Sequence, residues 1–250
     1  MAKFKEKFFS YKAYAKIFVQ LFLVMEPKIA YHNYLMKKGD VKKADEFGFS
    51  AVKKWAKFAT KTAGMNITVE GLEKIPKDRP VLFTPNHQSY ADIPLLLHVL
   101  KDFDFGFLMR MQLNKFFAIK QISRIIKCVP INQENAREGM KALKKTADQI
   151  NDGLSMLVFP EGKRGFSNTP DEFKNGAFKI VQKTGATVVP IYIHNVFKVL
   201  EGSDFVITPT DIKVIILDPI ETGNMKRDDV KQLHDRVYNL ILEESKKHPA

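Results

Sequence analysis

From residue 66 onward, short apolar runs of strand length alternate with stretches of helical periodicity, and no other feature of this 250-residue chain restricts its fold so tightly. Strands are expected at 67–69, 81–85, 105–109, 128–131, 155–159, 187–193 and 213–217. Helices fall between several of them, at about 93–101, 134–151, 173–184 and 228–247. A chain that keeps returning to a strand after a helix builds an α/β domain. The expected form is a mostly parallel sheet of about seven strands flanked by helices. Ligands of such sheets bind in crevices beyond the strand C-termini, so the residues that follow each strand are where chemistry is sought.

The first 65 residues read differently. They hold 14 Lys against 5 Asp and Glu, a balance of +9, whereas the remaining 185 residues contribute only +3 of the total +12. They also hold 13 of the 28 aromatic residues. On a helical projection Phe8, Tyr11, Phe18 and Phe22 share one face, while Lys12, Lys16 and Gln20 lie roughly opposite. After a turn at 38–40, a second amphipathic segment runs over about 44–63, with Lys53, Lys57 and Lys61 on one side and Phe49, Val52, Trp55, Ala56 and Phe58 on the other. The uninterrupted apolar run, 17–25, is nine residues long, and a bilayer crossing takes about 20. Two readings compete for this N-terminal pair, 1–65, ahead of a domain at 66–250. One is a helical hairpin packed on its own core. The other is a membrane-surface anchor whose aromatics dip into the acyl boundary while lysines meet anionic headgroups.

Such a positive field calls for an anionic partner. Nucleic acid is not expected, because large apolar side chains suit lipid better than a phosphate backbone. The single Cys128 excludes a disulfide framework and fits a reducing, cytoplasmic setting. His32, His98, His194, His234 and His248 are scattered without ligand spacing, so no metal site is expected.

Four strand-end sequences stand out. The first, Asn86-His87-Gln88-Ser89-Tyr90-Ala91-Asp92, follows the strand at 81–85. Five residues of helix turn through about 140° net, so His87 and Asp92 cannot meet on one continuous helix. With His87 in the loop and Asp92 opening the next helix, the carboxylate can fix one imidazole tautomer and leave the other nitrogen as a general base. The competing reading makes Asp92 a helix cap and His87 a polar loop residue. The second, Phe159-Pro160-Glu161-Gly162-Lys163-Arg164-Gly165, joins close backbone approach to fixed positive charge, which suits a phosphate or a charged turn alike. Arg110 ends a third strand, and Val189-Pro190-Ile191 puts a proline inside a fourth, as at an edge, a bulge or a close approach.

In that order, NHQSYAD, FLMRMQL, FPEGKRG and VPI resemble the four sequence blocks of the glycerolipid acyltransferase family, over about residues 80 to 195. The third block departs from the family pattern, reading Lys163-Arg164-Gly165 where Thr-Arg-Ser is usual. The resemblance implies transfer of a fatty acyl group to the 2-hydroxyl of 1-acyl-glycerol-3-phosphate, giving phosphatidic acid. It implies no tightly bound cofactor, with acyl-CoA or acyl-carrier protein as the donor co-substrate. By the same resemblance His87 is the general base and Asp92 its orienting partner. Arg164 and Arg110 hold the substrate phosphate, with Lys163, Glu161 and Gly162 shaping that subsite, and Val189, Pro190 and Ile191 shape the acyl pocket. Both lipids reside in the bilayer, which implies work at the cytoplasmic face of the cell membrane, bound peripherally to anionic phospholipid. Two alternatives stay open: another acceptor such as glycerol-3-phosphate, or a non-catalytic scaffold on anionic membranes.

Overall fold

The structure, a computed structural model, describes residues 2–248. Three helices lead: α1 (Ala2–Val19), α2 (Met25–Lys37) and α3 (Val41–Thr62). Strands and helices then alternate: β1 (Met65–Glu70), β2 (Val81–Pro85), α4 (Asp92–Val99), β3 (Phe105–Arg110), α5 (Phe117–Ile125), β4 (Val129–Ile131), α6 (Ala136–Asn151) and β5 (Ser155–Leu157). The chain ends with α7 (Asn175–Phe178), α8 (Val181–Thr184), β6 (Thr187–His194), β7 (Thr210–Ile216) and α9 (Arg227–Lys246). The seven strands form one sheet in the order β1-β7-β6-β2-β5-β3-β4. Every neighbouring pair is parallel except β6 with β7.

Position in the sheet explains the strand sequences. Central β2 reads Val-Leu-Phe-Thr-Pro and is buried at every residue, because helices cover both of its faces. Edge strand β1 alternates between half-buried and exposed side chains, as a strand with one wet face does. One helical layer carries α3 and α4 on Phe83, Phe105 and Ile193. The opposite layer carries α6 and α9 on Leu82, Met156 and Tyr192. Pro94 sits in the first turn of α4, where a missing N–H costs nothing. Asn135 caps α6 by accepting from the amides of Arg137 and Glu138.

The N-terminal pair divides between the two readings. Phe49, Val52 and Ala56 of α3 are buried in the same apolar cluster as the sheet residues Val81 and Phe83, so α3 belongs to one face of the sheet. Its Lys53 pairs with Asp104 at 2.5 Å. The helix before it is different: Tyr11, Phe18, Phe22 and Leu23 are exposed. A π-helical turn, Gln20–Val24, joins α1 to α2 without a break. Among the described residues, Glu6–Lys37 is thereby long and apolar enough to cross a membrane by length and composition. The short apolar run at 17–25 understated this, because it stops at Glu26 while the helix continues.

Two further differences have local causes. The segment at 173–184 divides into α7 and α8. Helix α5 has no counterpart among the sequence expectations, because its nine residues are fewer than the roughly 11 to 18 over which helical periodicity is read.

Candidate active site

The loop after β2 and the loop after β5 are knitted together at the C-terminal side of the sheet. The His87 amide donates to Glu161 Oε1 at 2.7 Å, and the His87 carbonyl accepts from the Gly165 amide at 2.8 Å. The backbone of His87 is thus held by the Phe159–Gly165 sequence on both sides. Its ring stacks on Phe159, with centroids 3.9 Å apart. Helix α4 opens at Asp92, and His87 Nδ1 lies 2.6 Å from Asp92 Oδ2. The same oxygen accepts from the amides of Gln88 at 2.8 Å and Ser89 at 2.9 Å. Asp92 is fully buried, so its carboxylate, an acceptor of N–H groups, directs the imidazole proton to Nδ1. Nε2 is left as the basic atom. Asp92 therefore does not cap α4 through its side chain. It gathers the turn that precedes the helix.

Glu161 is buried, and its second oxygen accepts from the Asp171 amide at 3.2 Å. It is a strut behind the site and is absent from the cavity wall. Desolvation pushes its pKa up to about 8 against the pull of the two amides. A pKa raised on folding gives stability that is full below the ordinary value of 4.5 and is lost as pH rises through about 8. Over that window the wild type is expected to lose stability relative to Glu161→Gln by a few kcal/mol, on the order of what such a shift carries. Urea midpoints of both proteins at pH 5 and pH 8.5 check this, and parallel pH dependence in the two would contradict it.

His87 and Phe159 form part of the wall of a cavity of about 570 Å³. Much of that wall is apolar, from Ile93, Phe107, Leu113, Ile131 and Val158, and the rest carries Arg110, Gln133, Lys163 and Arg164. Gly162 takes φ +70°, where a side chain is strained, and its carbonyl accepts from Arg110 at 2.8 Å and from Gln133 at 3.2 Å. Lys163 is exposed and pairs with Asp171 at 3.0 Å. Arg164 lies over the Tyr90 ring, 3.5 Å from its centroid, and pairs with Glu201 at 3.0 Å. The arrangement offers a base held in one tautomer beside an apolar chamber with a cationic wall.

Of the residues expected at the site, His87, Arg110, Gly162, Lys163 and Arg164 share this cavity. Val189, Pro190 and Ile191 do not line it. They are buried in β6, paired with Phe83, Thr84 and Pro85 of β2, and Val189 and Ile191 pack into the core. They meet β2 and the core and make no direct wall of this cavity. Pro190 also marks no edge, since β6 is an interior strand. Its carbonyl accepts from Leu217 just beyond the last β7 pair, Ile191 with Ile216, so its missing N–H falls where that ladder is interrupted. Cys128 is half-buried and does not line the cavity, and desolvation pushes its thiol up to about 12, which disfavours the thiolate.

The sequence reading also omitted the supports of the His87 loop. Asn86 bridges both backbone groups of Ile193, donating at 3.0 Å and accepting at 2.7 Å. Gln88 donates to the Ile193 carbonyl and to Asn168, which accepts in turn from the Asn195 amide. Asn195 has φ +68°, a conformation asparagine tolerates better than most residues, and that is a signal visible only with the backbone in hand.

The loop after β2 thus sets His87, backed by Asp92, on the wall of a cavity that is partly apolar and partly cationic. The profile described as Acyltransferase matches residues 66–194, and the chain belongs to that family. This chain is similar to several 1-acyl-sn-glycerol-3-phosphate acyltransferases. It is 34% identical over 159 residues to the chloroplastic 1-acyl-sn-glycerol-3-phosphate acyltransferase LPAT1 of Arabidopsis thaliana, covering 62% of this chain and 43% of that one. It is 32% identical over 137 residues to a probable 1-acyl-sn-glycerol-3-phosphate acyltransferase of Mycoplasma pneumoniae, covering 52% of this chain and 50% of that one. The chain thus spans half or less of the length of these relatives. The crystal structure of the 1-acyl-sn-glycerophosphate acyltransferase PlsC from Thermotoga maritima shares the fold, with a TM-score of 0.85 at 24% identity over 99% of this chain and 97% of that one.

Proposed function

We propose that this chain transfers a fatty acyl group from a thioester, acyl-CoA or acyl-carrier protein, to the 2-hydroxyl of 1-acyl-glycerol-3-phosphate, forming phosphatidic acid. The observation that carries the reading is the His87–Asp92 contact on the wall of a cavity that is apolar on one part and cationic on another. His87 Nε2 takes the proton of the acceptor hydroxyl as its oxygen attacks the thioester carbonyl. Asp92 holds the imidazole in place and stabilises the imidazolium. When the tetrahedral intermediate collapses, the C–S bond breaks and the imidazolium returns the proton to the leaving thiolate. No covalent acyl-enzyme is needed. Arg164 and Arg110 are the cations for the acceptor phosphate, and the apolar wall receives an acyl chain. Offering glycerol-3-phosphate in place of the lysophospholipid, with the same donor, tests the acceptor. Turnover of glycerol-3-phosphate alone would overturn it.

The same reading places the protein on an anionic membrane at the cytoplasmic face. It is supported by the exposed Phe18, Phe22 and Leu23 on a helix that also exposes Lys12 and Lys16. Burying a large apolar side chain is favourable by roughly 1.5–3 kcal/mol, so replacing all three with serine is expected to weaken vesicle partitioning by about 100-fold or more. Co-sedimentation with phosphatidylglycerol vesicles measures this. Undiminished binding would contradict it.

A further inference from the structure

Glu201 lies beyond the matched residues 66–194, and its side chain is only 6% exposed, so its carboxylate must be satisfied internally. It is satisfied by both halves of the site. Oε1 accepts from Arg164 Nη1 at 3.0 Å and from the Tyr90 amide at 3.0 Å. Oε2 accepts from Ser89 Oγ at 2.6 Å. One carboxylate therefore ties the cation of the loop after β5 to the turn between His87 and Asp92. Arg164 also lies over the Tyr90 ring, so the residue whose amide Glu201 holds is the one that the guanidinium packs against.

The turn that delivers Glu201 is itself constrained. Asp204 and Phe205 both have positive φ, 49° and 62°, which neither side chain favours. Helix α1 closes this turn from outside, as Tyr14 Oη donates to the Phe205 carbonyl at 2.7 Å and Ser10 Oγ accepts from the Ile207 amide at 2.9 Å. Such a conformation persists because its surroundings over-determine it.

From this we infer that Glu201 is a positioning residue for the acceptor phosphate: it fixes Arg164, and through Ser89 and Tyr90 it fixes Arg164 relative to His87. The inference rests on the reading of Arg164 as a phosphate ligand. An arginine side chain loses considerable rotamer freedom when it is held, and a partner that holds it in advance removes that cost from binding.

The test is steady-state kinetics of the full chain on vesicles, with lysophosphatidic acid as the varied acceptor. Glu201→Ala is expected to raise the acceptor KM by about 10-fold while the donor KM stays within about twofold. Glu201→Gln keeps an oxygen for Arg164 and Tyr90 and is expected to remain within about threefold of wild type, a rescue that a purely electrostatic role would not give. In an Arg164→Ala background, Glu201→Ala is expected to add less than about twofold, since it acts through the absent guanidinium. Should the alanine variant fail to fold, Glu201→Asp, which keeps the charge and shortens the arm, is expected to raise the acceptor KM by about fivefold. A wild-type acceptor KM in Glu201→Ala or Glu201→Asp, a parallel rise in donor KM, or full additivity with Arg164→Ala would overturn the inference while leaving the acyl-transfer reading standing. Absence of wild-type turnover would overturn both.

Discussion

Replacing His87 with alanine is expected to lower kcat/KM by about 10³-fold or more, the contribution of a positioned general base, and to leave the fold and vesicle binding intact. The structure separates the two outcomes because the His87 backbone is held by Glu161 and Gly165 independently of its ring. Losing the imidazole removes the stack on Phe159 and one of three donors to Asp92, while the amides of Gln88 and Ser89 remain on that carboxylate. Acyl transfer measured beside thermal melting and co-sedimentation checks this. A variant with wild-type turnover would show that His87 is not the base.

Asp92→Asn is expected to lower kcat by roughly 10- to 10³-fold through loss of the negative charge that stabilises the imidazolium. Oδ2 accepts from His87 Nδ1 and from the amides of Gln88 and Ser89, so the asparagine oxygen takes that place and the NH₂ group takes the place of Oδ1. The imidazole proton therefore stays on Nδ1, and Nε2 stays free to accept one from substrate. Imidazole nitrogen chemical shifts check this, with Nδ1–H expected in both proteins. Wild-type kcat in the variant would show that the Asp92 charge plays no part in turnover, and Nε2–H in the variant would contradict the contact.

Much of the fold was legible because burial in a covered parallel sheet demands continuous apolar strands, and 81–85 and 187–193 have that character. Helix α5 was hidden by its length, since nine residues are too few for helical periodicity to be told from a short apolar run. The site divides along a similar line. His87, Asp92 and Arg164 sit in compact sequence blocks, and the rotation argument correctly put His87 in a loop and Asp92 at a helix start. Glu201, Asn168 and Asn195 reach the site across 27 or more positions of sequence separation, through contacts that no spacing encodes. Val189, Pro190 and Ile191 form a recognisable block for a structural reason, being the buried partner of β2 rather than a pocket wall. For the N-terminal pair, two amphipathic patterns of similar appearance have different partners. Residues of α3 face Val81 and Phe83 in the core, whereas Phe18 and Leu23 of the preceding helix face outward. Removing residues 1–63 would therefore uncover the core, and surface substitutions on the first helix are the cleaner probe of membrane binding.

The central claim is acyl transfer onto a lysophospholipid. Its most direct measurement incubates the full chain on anionic vesicles with lysophosphatidic acid and, separately, acyl-CoA or acyl-carrier protein thioesters, and reads the lipid product by mass spectrometry. Phosphatidic acid carrying the donor's acyl chain is the predicted result, with at least one donor and with loss of product in His87→Ala. No phosphatidic acid from either donor, or equal product from the His87→Ala protein, would contradict it.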